Sequence, residues 1–76
     1  MAFLFEVSGI RLEVREDNDM FTMMGVPDFL PSAMVDRPEK HGCSVDGAVF
    51  ITKAFMRLPE YFRRIALTHE AGHVAC

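Results

Sequence analysis

The chain opens on alternation. Phe3, Phe5 and Val7 alternate with Leu4 and Glu6, and Ile10, Leu12 and Val14 alternate with Arg11, Glu13 and Arg15. A period of two marks a strand with one buried face. A two-residue turn at Ser8-Gly9 pairs Val7 with Ile10, Phe5 with Leu12 and Phe3 with Val14, so that one face is wholly apolar. On the other face Glu6 meets Arg11, and opposite charges across a strand pair favour that register. The spacing predicts a β-hairpin over residues 2–15.

Alternation then stops. Glu16-Asp17-Asn18-Asp19 reads as a solvated acidic turn that can cap a short helix over Met20–Met24, and it lacks the longer pattern of an EF-hand. Pro27, Pro31 and Pro38, with few periodic apolar positions between them, predict an irregular connection over 16–41. Its Met20, Phe21, Met23, Met24, Phe29, Leu30 and Met34 are apolar enough to cover a core. Asp46-Gly47 is a strong turn signal. It predicts a second hairpin over 42–52, pairing Val45 with Ala48 and Cys43 with Phe50.

From residue 59 the period lengthens to that of a helix. Pro59 suits the first helical position, and Glu60 suits the positive N-terminal end. Phe62, Ile65, Ala66, His69, His73 and Cys76 recur at three- and four-residue spacing and form the stripe expected to face inward, with Arg63, Arg64 and Thr68 pointing away. The elements add up to a single α+β domain over residues 1–76, with antiparallel β-hairpins packed against a C-terminal helix at 59–76.

That helix carries the chemistry. His69-Glu70-Ala71-Gly72-His73 is a His-Glu-x-x-His motif. Histidines four residues apart share a helix face and can supply two corners of a tetrahedral zinc site. Glu70 between them is placed to take a proton from an attacking water, as a general base does. A catalytic zinc site normally takes a third protein ligand. The candidates within the chain are His41, Cys43 and Cys76, with Asp46 more readily explained by its turn; a symmetric homodimer is a further source. Cys76 lies seven residues past His69, roughly 10 Å along a helix axis, and reaches a shared ion only if the last turn frays. Each of these has a plain structural reading too: Cys43 as a small apolar side chain, His41 as a loop residue.

The run Gly47-Ala48-Val49-Phe50-Ile51-Thr52, then Leu58-Pro59, then Ile65-Ala66-Leu67-Thr68-His69-Glu70-Ala71-Gly72-His73, resembles the zincin-like metallopeptidases. Within them it is most similar to the small intracellular ImmA/IrrE type of phages and mobile elements, over about residues 43–75. The resemblance implies zinc as cofactor, His69 and His73 as its ligands and Glu70 as the catalytic base. The family's third ligand, on a later helix, has no counterpart in these residues. The expected function is that of a minimal or truncated zincin-like metallopeptidase, a hydrolase of peptides. The pattern runs up to Cys76 without a helix stop signal, which suits a longer peptidase. The alternative is a catalytically inactive phage-type protein acting by protein binding, such as an anti-CRISPR-like inhibitor of a host defence complex.

Composition narrows the partners. In 76 residues, half of them hydrophobic, seven Phe and six Met are rich for one small core. A surplus apolar patch would then serve a peptide or protein partner. A net charge of −3 without a basic run argues against direct nucleic-acid binding. No apolar run nears the roughly 20 residues that cross a bilayer, and the N-terminus lacks the pattern of a signal peptide. Two cysteines are too few for a disulfide scaffold, so a cytoplasmic protein is expected.

Overall fold

The computed structural model describes residues 1–36 and 42–76. Strand β1 (Ala2–Val7), strand β2 (Ile10–Glu16), helix α1 (Asn18–Met23), strand β3 (Ala33–Asp36), strand β4 (Asp46–Ile51), a 3-10 helix (Lys53–Arg57) and helix α2 (Glu60–Ala75) follow in chain order. The strands make one sheet in the order β1-β2-β4-β3, and α2 lies across one face of it, touching all four. The architecture is α+β, as expected, but the sheet is mixed.

The first hairpin has the register expected from its pattern: Val7 opposes Ile10, Phe5 opposes Leu12, Phe3 opposes Val14, and Glu6 opposes Arg11. Ser8 and Gly9 both take positive φ, 51° and 78°. Two such residues in succession form the turn whose twist matches that of the strands it joins.

The second hairpin does not form. Asp46 and Gly47 are the first residues of β4, which pairs in parallel with β2 and antiparallel with β3. The reason is tertiary. Arg11 and Asp46 are opposed across β2 and β4, and Arg11 Nε donates to Asp46 Oδ1 at 2.8 Å. Val45, expected to pair with Ala48, instead accepts from Arg11 N at 2.8 Å. Within β4, Val49 and Ile51 are fully buried, and Ala48 and Phe50 between them are half-buried.

Residues 17–36 of the connection over 16–41 are more ordered than their prolines suggest. Asp17 caps α1, its Oδ1 accepting from Met20 N at 3.0 Å, and Phe21 is buried. Residues 33–36 become the edge strand β3 because β4 offers them a free edge. Thr52 sets the start of β3. Its N–H donates to Ser32 O at 3.0 Å, its Oγ1 accepts from Ser32 N at 3.0 Å, and its hydroxyl donates to Leu30 O at 2.8 Å.

The core lies between the sheet and α2. Leu12, Val14, Val49 and Ile51 are fully buried from the sheet side and meet Leu67, Ala71 and Val74 of α2, with Phe55 of the 3-10 helix closing one end. Full burial of an aliphatic or aromatic side chain of this size contributes about 1.5–3 kcal/mol.

Candidate functional site

Helix α2 is anchored at its start. Pro59 takes the cap position, its φ of −53° suited to helix entry, and its carbonyl accepts from Phe62 N and Arg63 N. The Arg63 guanidinium reaches back to the carbonyls of Met56 and Leu58, tying the first turn to the 3-10 helix. The other end is held by Ser44 N, which donates to Val74 O at 3.0 Å.

Which stripe of α2 faces inward differs from the expectation. Leu67, Ala71 and Val74 are buried, and Arg63, Ala66 and Glu70 are half-buried beside them. Phe62, Ile65, His69, His73 and Cys76, expected to face inward, are exposed; Ile65 is 64% exposed. Both stripes have helical spacing, so periodicity does not choose between them. The contact made is that of Val74 with Gly47 of β4, where the missing Cβ leaves room for the valine methyl groups.

The two histidines of the motif converge on the outer face. His69 Nε2 and His73 Nε2 are 3.0 Å apart, and the rings meet edge to face at a centroid distance of 4.6 Å. With one Nε2 protonated and the other not, that contact is a hydrogen bond. Opening it slightly would direct both lone pairs to one point, since two nitrogen ligands of a tetrahedral zinc at about 2.0–2.1 Å stand about 3.3 Å apart. The donor chemistry therefore fits two corners of a zinc site. Among the described residues no group of three His, Cys, Asp or Glu side chains is placed to hold a metal ion.

The remaining candidate ligands are distributed as follows. Cys43 and Cys76 are joined in a disulfide, with their Cα atoms 5.3 Å apart. A sulfur in that bond is not a thiolate and does not ligate zinc as one, so neither cysteine is a donor in this state. The expectation that Cys43 packs as an apolar side chain is corrected too, since it is exposed. Asp46 is committed to Arg11. His41 lies outside the described residues. No sequence signal distinguished two separate cysteines from this pair; the juxtaposition arises from the packing of residues 43–45 against the end of α2.

The paired cysteines also remove one support of the expected cytoplasmic location, because disulfides are rare in that compartment. Among the described residues, no helix is long and apolar enough to cross a membrane. A groove of about 280 Å³ lies near the start of α2, lined by Phe3, Phe5, Arg64 and Leu67 among others, and none of its lining residues belongs to the motif.

Comparison of the chain with protein-family models, curated proteins and solved structures finds no match in any of the three.

Proposed function

We propose that α2 carries the metal-binding part of a zincin-type metallopeptidase site, with His69 and His73 as zinc ligands and Glu70 as general base. The observation that supports this reading most is the convergence of the two Nε2 atoms at 3.0 Å on an exposed helix face. Zinc held by the pair would supply Lewis acidity toward a peptide carbonyl. Glu70, adjacent in sequence to His69, takes the proton of the attacking water and returns it to the leaving amine. His69 and His73 lie on the exposed face of α2. A third donor comes from outside the described residues, from His41 or from a second chain.

A second reading draws on a different observation. Tyr61, Phe62 and Ile65 are exposed on the same helix, and the Tyr61 and Phe62 rings stack at 4.4 Å. An apolar stripe of this kind suits a protein partner, which is the reading of a binding protein without peptidase activity.

Zinc content of the purified protein, with its disulfide intact, separates the two. Near-stoichiometric zinc that is lost in both His69→Ala and His73→Ala and kept in Glu70→Ala supports the peptidase site. Peptide cleavage lost in Glu70→Ala would then complete the assignment. Folded protein that takes up no added zinc overturns it in favour of the binding protein.

A further inference from the structure

We propose that the open edge of β1 is a homodimer interface, at which a second copy of this chain adds its own β1 in antiparallel and joins the two sheets into one. β1 stands at the end of the strand order, and among the described residues it pairs with β2 alone. The phase of that pairing is fixed on both sides of β2. Glu16 N donates to Met1 O at 3.2 Å on the β1 side, and Arg11 N donates to Val45 O at 2.8 Å on the β4 side. Bonded and non-bonded pairs alternate along an antiparallel ladder. Phe3, Phe5 and Val7 therefore turn their N–H and C=O groups to β2, and Ala2, Leu4 and Glu6 turn theirs outward. Such a row is a template for another strand unless brevity, proline, a bulge or charge blunts it. β1 is six residues long, with no proline and one charged side chain, Glu6. The opposite edge, β3, is four residues long and ends in Asp36.

A two-fold interface needs a surface that is its own complement, and this edge is one. An antiparallel pair centred on Leu4 sets Leu4 against the partner's Leu4, Ala2 against the partner's Glu6 and Phe3 against the partner's Phe5. Every outward-turned residue then meets another, and each such pair exchanges both of its backbone bonds. Centring on Phe3 or Phe5 leaves outward groups unmatched at one end. Centring on Glu6 opposes two carboxylates, which is unfavourable. The register on Leu4 keeps the strand's one charge of each copy apart.

The side chains agree with that register. Leu4, 75% exposed, is covered at the axis by its own copy. On the other face Phe3 and Phe5 are half-buried and line the groove beside α2. An incoming strand must lay alternate apolar side chains alongside them, and β1 carries that alternation. The same groove holds Glu60 with Arg63 and Arg64, so its rim bears both signs and can face itself across a two-fold. No residue of the His-Glu-x-x-His motif takes part, so the dimer does not rest on the peptidase reading.

Sedimentation equilibrium of the purified chain over a range of concentrations provides the test. The parent is expected to form a dimer and no larger species. Leu4→Lys sets like charges against each other at the axis and is expected to raise the dissociation constant by about tenfold or more, with the helical circular dichroism signal unchanged. Leu4→Pro removes an N–H that β2 does not use, and should do the same. Leu4→Lys mixed with Leu4→Glu should restore a dimer, which keeps the test decisive where Leu4→Pro costs the fold. Hydrogen exchange reads the register: the Leu4 and Glu6 amides should be protected in the dimer and exchange freely on dilution, while Phe5 and Val7 stay protected throughout. A parent that remains monomeric overturns the proposal and leaves the edge to an extended segment of a different protein. Assembly that continues past the dimer overturns it in favour of open-ended strand pairing. A dimer that survives Leu4→Lys, or leaves the Leu4 and Glu6 amides unprotected, overturns it and places the contact elsewhere, as on the exposed Phe62 and Ile65 of α2.

Discussion

Gly47 lies directly beneath Val74: a Cβ carbon on the glycine would stand 2.6 Å from Val74 Cγ2 and 3.0 Å from Cγ1. Val74 is buried and, being β-branched, has little freedom to turn away. The glycine that resembled half of a turn is therefore a point of close approach between β4 and α2. Gly47→Ala is expected to destabilise the fold by about 1–3 kcal/mol, the usual cost of overpacking. Val74→Ala in the same chain should recover part of that loss by removing the clashing methyl groups. Urea denaturation of the two variants and the parent measures both effects; a neutral Gly47→Ala would show that helix and strand are not in this close contact.

The orientation of α2 makes a second, independent prediction. Leu67→Ala should cost about 2–5 kcal/mol, because it opens a cavity in the core. Phe62→Ser and Ile65→Thr should each fall within about 0.5 kcal/mol of the parent, as for exposed positions. Thermal or urea midpoints in which Phe62 or Ile65 proves more costly than Leu67 would place the other stripe inward.

Thr52 is the one buried polar side chain among the described residues. Its hydroxyl serves Leu30 O and Ser32 N, and it caps the 3-10 helix by accepting from Phe55 N at 3.3 Å. Thr52→Val keeps the shape and removes the hydroxyl, leaving Leu30 O and Ser32 N without that partner. A loss of about 1–3 kcal/mol is expected. Hydrogen exchange should show faster exchange at the Ser32 amide; unchanged protection there would mean that another group holds it.

The disulfide spans 33 residues of sequence. Closing a loop of that length lowers the entropy of the unfolded chain enough to stabilise the fold by about 3–4 kcal/mol. Cys43→Ser with Cys76→Ser, measured in the absence of metal, should lower the unfolding free energy by about that amount. An unchanged urea midpoint would indicate that the cysteines are not bonded in solution.

His69 and His73 are the residues for which pattern and structure agree in part. Their four-residue spacing on a helix was legible, and it does bring their rings together. What spacing could not supply was the direction in which the pair points. A helix with two apolar stripes, one through Phe62 and Ile65 and one through Leu67 and Val74, has two plausible inner faces. The choice is made by the sheet it meets.

Local chemistry alone determined the first hairpin. Its alternation and turn residues agree on one register, in which Glu6 opposes Arg11, and all of these positions lie within fifteen residues of each other. It likewise determined that residues 60–75 form a helix, since spacing and Pro59 act locally. Tertiary structure decided the rest. Asp46-Gly47 entered a strand because Arg11 and Val74, distant in sequence, offer it an ion pair and a close-packing surface. Ala33–Asp36 became a strand because β4 had an edge to fill, and Cys43 met Cys76 because the sheet and α2 bring residues 43–45 to the helix end. In each case the deciding partner lies far along the chain, where neither propensity nor periodicity carries information.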